Sequence, residues 1–387
     1  MRAAGLVIAS TLVSLFLAEI AVRLIAPQEA RLETPGMYIR DSALGYRLSP
    51  RYRGHLGNRV EYMTTITTDD IGLRSSDEST PDAQTRIVVL GDSFAFGQGV
   101  EASEAFPSKL EKDLGTSRLH VRVLNAGTPG YGTRQQAAWL ERFGPRVRPA
   151  LIVLSVFLGN DLRDNIVPGE VRLVQGSVAA PAKSWHSPFS VWLYRNSHLY
   201  ALARTGVVAL TTARDGERVT RPTAVDAFLR QPSEVAKLEF DSTRAGLVRL
   251  LEVSRQLNAP VLAVLIPDAF QVEEARIDWL TRNAEYRGRV DTTSPNRTFA
   301  KLFCELRIPF LDMTEAFKDA SAAADEPLYF PRDRHLNARG HELAAGLIAS
   351  HVRSAAVNRD DRAPSANASP IEFHLDSAQS LAGCAGA

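Results

Sequence analysis

The sequence predicts an α/β protein built on a mostly parallel sheet of about five strands, with helices on both faces. Three observations predict it. Strand-like and helix-like segments alternate from Arg86 to the last helical run, which is the pattern of successive βα units. "ALIVLSVF" and "APVLAVLIP" lack polar alternation, as expected for strands covered on both faces. Glycine and polar residues gather just after the strands, where parallel α/β sheets bind their ligands.

The elements follow in order. The amino terminus, "MRAAGLVIASTLVSLFLAEIAVRLIAP", is apolar from Ala3 to Ala18, then carries Glu19 and Arg23 before Pro27. This is long enough to cross a ~30 Å hydrocarbon layer as a helix. Glu19 and Arg23, four residues apart, can pair on one helical face near the interface. No A-x-A-like site closes the run, so residues 1–26 read as an uncleaved signal anchor rather than a cleaved signal peptide. Either one exports the rest of the chain. Residues 27–85 read as a linker, Pro27 to Ser49, and an edge β extension in which "EYMTTITTDDIGLRSS" supplies a strand.

The main domain, 86–357, opens with the strand "RIVVL" and the helix "AFPSKLEKDL". The strand "VRVLN", the helix "TRQQAAWLERF" and the strand "ALIVLSVF" come next. After an insertion at 165–235 come the helix "STRAGLVRLLEVSRQLN" and the strand "APVLAVLIP". "TFAKLFCEL", the short strand "IPFLD" and the helix "ARGHELAAGLIASHV" close the domain. Within the insertion, Trp192, Leu199, Ala203 and Val207 fall at helical spacing, as a packing face or as a lid over a site. Trp185, Trp192 and Tyr194 are candidates for a wall beside that site. The tail, 358–387, lacks periodicity and reads as disordered.

Composition limits the function classes. Lys and Arg number 45 against 44 Asp and Glu, and no dense basic run occurs, which argues against a nucleic-acid partner. The two cysteines, Cys304 and Cys384, make no disulfide framework, and Cys304 reads as a core residue. Neither has a partner at metal-ligand spacing, and His55, His120, His186, His198, His351 and His374 are scattered, so no metal or other cofactor is expected.

The residues after the strands make an acyl-transfer set. Gly91-Asp92-Ser93 follows the first strand, and Asn125, Gly127, Gly130 and Gly132 follow the second. Gly159, Asn160 and Asp161 follow the third, and Asp333 and His335 precede the closing helix. Ser93, at a strand-to-helix turn, suits a nucleophile. His335 suits its general base, and Asp333 can fix the imidazole tautomer. On an extended segment, residues two apart face one side, so Asp333 and His335 could both face Ser93. The backbone N–H groups of Ser93 and Gly130 and the Asn160 amide are candidate oxyanion donors, each worth ~3 kcal/mol.

In these four blocks the chain resembles the SGNH (GDSL) hydrolases, with Ser93, Gly130, Asn160 and His335 in the signature positions, and its amino-terminal anchor and "GLRSS"-like segment look like those of the membrane-anchored, exported members. The resemblance runs from about Arg86 to Val352. It implies a flavodoxin-like three-layer α/β/α sandwich, and ester hydrolysis or acyl transfer without a cofactor. The family's usual acid–histidine spacing is DxxH, whereas here it is Asp-x-His, so Asp312 stays open as the orienting acid beside Asp333.

Neighbouring residues have plainer uses. Asp92 is a helix cap or a support for the site. Gly127 and Gly132 are turn glycines, Asp161 positions the Asn160 loop or starts a helix, and His341 is a surface or capping histidine. The expected function is a membrane-anchored, extracytoplasmic serine esterase acting on acyl esters, acetyl above all, with carbohydrate as a candidate carrier. The alternatives are an O-acyltransferase acting on surface polysaccharide with the same residues, and a non-catalytic carbohydrate-binding or assembly protein.

Overall fold

The structure, a computed structural model, describes residues 2–75, 85–115, 121–165, 172–174, 177–179, 188–214, 225–230, 233–283, 286–324, 326–357, 372–373 and 375. Helix α1 spans Arg2–Ile25, and five short strands follow: β1 (Leu32–Glu33), β2 (Tyr38–Asp41), β3 (Gly45–Leu48), β4 (Arg53–Gly57) and β5 (Met63–Thr67). The βα units begin with β6 (Thr85–Leu90), α2 (Ser93–Phe96) and α3 (Phe106–Gly115). They continue through β7 (Val121–Asn125), α4 (Thr133–Val147), β8 (Leu151–Phe157) and α5 (Asp161–Asp164). The insertion holds a hairpin, β9 (Arg172–Val174) and β10 (Ser177–Ala179), and helices α6 (Pro188–Asn196) and α7 (His198–Arg214). The main domain resumes with α8 (Ser233–Gln256), β11 (Val261–Ile266), α9 (Ala269–Val272) and α10 (Glu274–Arg282). It ends with α11 (Ser294–Leu306), β12 (Phe310–Asp312), α12 (Thr314–Ala322) and α13 (Ala338–Ala355).

The central sheet has five parallel strands in the order β12-β11-β8-β6-β7, the flavodoxin-like doubly wound arrangement. Alternate residues of each strand enter opposite cores. Val88, Leu90, Ile152 and Leu154 pack against α4, α8 and α11. Ile87, Val89, Leu151 and Val153 pack against α3, α12 and α13. Both faces are thus buried, which is why these strands show no polar alternation.

The stretch expected to be a linker is folded. β2 and β3 form an antiparallel hairpin, and Met37, Tyr38, Leu44, Tyr46 and Leu48 are buried against the α4 side of the sheet. The alternation in "GYRL" buries Tyr46 and Leu48 on one side, and Tyr38 of "YIRD" joins them across the turn. β1, β4 and β5 make a separate antiparallel sheet. The extension meets the main sheet where Arg74 bridges Asn125 at the end of the edge strand β7.

Two further expectations change. Cys304 is half-buried and disulfide-bonded rather than a plain core residue. The tail lies outside the described residues except for Leu375 and a strand, β14 (Glu372–Phe373), paired with β13 (Ala356–Val357). Phe373 is buried in the α13 core.

Candidate active site

Strand β6 turns abruptly into α2, and Gly91 makes that turn possible. A Cβ there would stand 2.6 Å from Ala95 Cβ and 3.0 Å from Ser155 Cβ. Asp92 caps α2, its Oδ1 accepting the Phe94 N–H at 2.9 Å. The cap and the site are therefore not alternatives for this residue, because its other oxygen lies 3.5 Å from Ser93 Oγ. Ser93, the first residue of α2, is half-buried at the wall of a cleft of about 310 Å³.

His335 reaches Ser93 from the loop before α13, with Nε2 2.8 Å from Ser93 Oγ. Its Nδ1 contacts Asp333 Oδ1. With Nδ1–H donated to the carboxylate, Nε2 is left as an acceptor for the serine hydroxyl. Asp333 and His335 do not meet along an extended segment, as the sequence led us to expect. Arg334 between them has φ 68°, and the loop is a turn in which Arg334 N–H donates to Phe330 O and Phe330 N–H to His335 O. That left-handed conformation costs a non-glycine residue roughly 1 kcal/mol. Arg334 is held there by Asp268, 3.3 Å away, and lies over the Phe270 ring.

The acid is fixed from the N-terminal extension. Tyr62 donates to Asp333 Oδ2 at 2.8 Å and accepts from Gln98 Nε2 at 3.2 Å. Glu61 accepts the backbone N–H groups of Arg332 and Asp333, each at 2.8 Å. Burial raises the Asp333 pKa, but the hydrogen bonds from His335 and Tyr62 outweigh it and hold the carboxyl below its ordinary value. Asp312 is elsewhere, accepting from Thr314 and Asn296. Arg74 supports the nucleophile helix from beneath: it is buried and donates to Phe96 O, Gly97 O and Val100 O at 2.7, 2.5 and 2.6 Å.

Of the three expected oxyanion donors, Ser93 and Asn160 line the cleft and Gly130 is not among the lining residues. Gly130 sits exposed at φ 81°, where a Cβ would meet Tyr46 Oη at 2.7 Å. Asn160 Nδ2 donates to Asp164 Oδ2 at 2.9 Å. Burial and the charge of Asp92 push the Asp164 carboxyl up to about 7. Asp161 is buried and accepts the Phe157 N–H at 3.1 Å, so it both starts α5 and shapes the Asn160 loop.

His341 is neither exposed nor at the site. It is buried, and its Nδ1 accepts the Phe106 N–H at the start of α3. Gly127 packs against the backbone of α2, and Gly132 precedes α4. The expected apolar stripe of the insertion is broken at Ser197, between α6 and α7. Trp192 and Tyr194 are not among the residues that line the cleft, and Trp185 lies outside the described residues. Among the insertion's described residues, Ala227 lines the cleft. Among the described residues no group of three or more His, Cys, Asp or Glu is placed to hold a metal ion.

Sequence reasoning missed Glu61, Tyr62, Arg74 and Arg334. Their partners are distant in the chain, and no local pattern marks them. Comparison with known proteins adds an independent line. A model of the GDSL-like lipase/acylhydrolase family matches residues 89–343. No curated protein matches the sequence. Among solved structures, the acetyl xylan esterase AlAXEase is similar at 15% identity and TM-score 0.39, over 69% of this chain and 99% of that one. A catalytic mutant of the acetylxylan esterase Axe2 from Geobacillus stearothermophilus is similar at 14% identity and TM-score 0.38, over 70% of this chain and 94% of that one. An alpha/beta hydrolase enzyme from the metagenome of Lake Arreo, Spain, gives 13% and 0.39 over 70% and 95%.

Proposed function

Since this chain belongs to the GDSL-like lipase/acylhydrolase family and is an ester-hydrolysing enzyme, we propose that it is a serine esterase with Ser93 as nucleophile, His335 as general base and Asp333 as the orienting acid. The observation that carries this reading is the 2.8 Å contact between Ser93 Oγ and His335 Nε2. Ser93 Oγ attacks the ester carbonyl as His335 takes its proton, and His335 returns that proton to the leaving alkoxide. Asp333 stabilises the imidazolium in between. Water, activated by the same histidine, then releases the acid. The Ser93 N–H and the Asn160 amide are the donors for the oxyanion, which requires Asn160 to turn from Asp164 toward the substrate.

The cleft of about 310 Å³ is at the small end of ligand sites, which favours a short acyl group, acetyl first, with carbohydrate as a candidate carrier. Water is favoured over a sugar acceptor because Trp192 and Tyr194, the candidate wall of an acceptor site, are not among the residues that line the cleft. By length and composition α1 can cross a membrane. We read it as the anchor, with the catalytic domain outside the cytoplasm. The disulfide at Cys304 supports that side, since such bonds persist in oxidising compartments.

The test is an active-serine phosphonate probe with a short-chain ester assay. The wild type should be labelled at Ser93, and Ser93→Ala should lose both label and activity. Full activity in Ser93→Ala would end the assignment.

A further inference from the structure

Helices α6 and α7 are fastened to α1 at one level. Glu19 accepts the His198 and Leu199 N–H groups at 2.9 and 2.8 Å, and the Ser197 hydroxyl at 2.7 Å. Arg23 pairs with Glu19 at 2.7 Å and donates to Asn196 O at 2.9 Å. One ion pair therefore caps the start of α7 and the end of α6 together. It lies where the apolar run of α1 ends. Gln28 and Arg59 reinforce the joint from the domain side, donating to His198 Nδ1 and Tyr194 O.

Beyond this joint, several of the pair's described side chains are exposed. Phe189 and Trp192 are 67% and 56% exposed with their rings stacked, and Leu202 and Val207 are 40% and 50% exposed. Phe189, Trp192 and Leu202, left in water beside a helix that is itself apolar and exposed, need a partner. The charge pattern says which kind. From Pro188 to Arg214 the chain has Arg195, Arg204 and Arg214 and no Asp or Glu. Trp192, Tyr194 and Tyr200 lie within five residues of Ser197, whose hydroxyl Glu19 accepts. Basic residues suit anionic headgroups, and Trp and Tyr favour the membrane–water boundary.

We infer that α6 and α7 form a second membrane contact, an interfacial hairpin seated in the lipid headgroup region beside α1. The contact rests on the reading of α1 as anchor, and continuity with that helix is what selects a bilayer over a protein partner. Phe189 and Trp192 enter the boundary, and α7 lies with Leu202 and Val207 against lipid. The hairpin then fixes the orientation of the catalytic domain, which a single helix leaves free to rotate.

The full chain in vesicles of phosphatidylcholine and phosphatidylglycerol tests this, with acyl-brominated phosphatidylcholine as quencher. Tryptophan emission should be quenched, and Trp192→Phe should lower the quenched fraction at least twofold. A photoreactive benzoylphenylalanine in place of Val207 should cross-link to lipid. Equal quenching in wild type and Trp192→Phe, or cross-linking of position 207 to a second copy or another protein, would overturn the hairpin assignment. Alkaline carbonate extraction of the same vesicles reads α1 separately. A chain that resists extraction without Trp192 quenching keeps the anchor and loses the hairpin. A chain that is extracted loses both.

Discussion

Tyr62 donates its phenolic hydrogen to Asp333 Oδ2 at 2.8 Å, across 271 residues of chain. The acid that orients His335 thus takes one of its hydrogen bonds from the end of a strand outside the central sheet. Tyr62→Phe keeps the ring against Phe330 and removes that bond. A hydrogen bond to a charged group is worth about 1.5–3 kcal/mol. We expect kcat to fall roughly tenfold with KM within twofold, measured on a short-chain acyl ester. An unchanged kcat would make Tyr62 a packing residue.

Asp333→Asn should cost far more than its neighbours do. It leaves the fold intact but removes the charge beside Nδ1, and the rate should fall by more than about tenfold, with binding little changed. Asp312→Asn should leave kcat near wild type, because Asp312 serves the start of α12 and Asn296. The reverse result would move the catalytic acid to Asp312.

Arg74→Met tests the support under the nucleophile helix. The substitution strands three buried carbonyls, those of Phe96, Gly97 and Val100. We expect a loss of about 3 kcal/mol in unfolding free energy, read by urea denaturation. Stability within ~0.5 kcal/mol of wild type would contradict this account.

Two buried groups set opposite slopes of stability against pH. Asp164 has a folded pKa of about 7 against an ordinary 3.8. Between these values the folded chain holds a proton the unfolded chain has lost, so stability falls as pH rises through that window. His341 is held neutral by burial and nearby cations, with its pKa lowered from 6.5 to about 3. Between these values the unfolded chain carries the extra proton, so stability is lost as pH falls. Each slope is at most about 1.4 kcal/mol per pH unit. Asp164→Asn should make the protein more acid-sensitive relative to neutral pH, and His341→Gln less so. Identical pH slopes in wild type and both variants would refute the assignment.

Hydrolysis against transfer is decided by the acceptor. A small activated acetyl ester should yield free acetate, and added simple saccharides should leave that yield nearly unchanged. Diversion of most of the acetyl group to a saccharide would make the enzyme a transferase with the same serine and histidine.

The five strands and their helices were legible because buried parallel strands have a local signature, and the positions of Ser93 and His335 because they stand in the connections beside such elements. The hairpin at Tyr38–Leu48 carries no such signature, since only the four residues of "GYRL" alternate and prolines and glycines flank the stretch as in a linker. Asp333 and His335 were read as neighbours, but the means was wrong. The left-handed Arg334 that joins them depends on Asp268 and Phe270, some 66 residues earlier. Glu61 and Tyr62 were illegible for the same reason: they act through partners 271 residues away.

The folded state of residues 27–49 bears on reach. Arg332, next to the acid, donates to the carbonyl of Pro27 at 2.8 Å, two residues after α1 ends. With α1 in a bilayer, no slack remains between anchor and catalytic loop, and Ser93 stands at one height above the lipid. A flexible tether lets an enzyme sweep a volume, whereas a chain anchored in this way would patrol a layer. Its turnover should scale with the surface density of esters held at that height, and bulk concentration should matter chiefly through how it fills that layer.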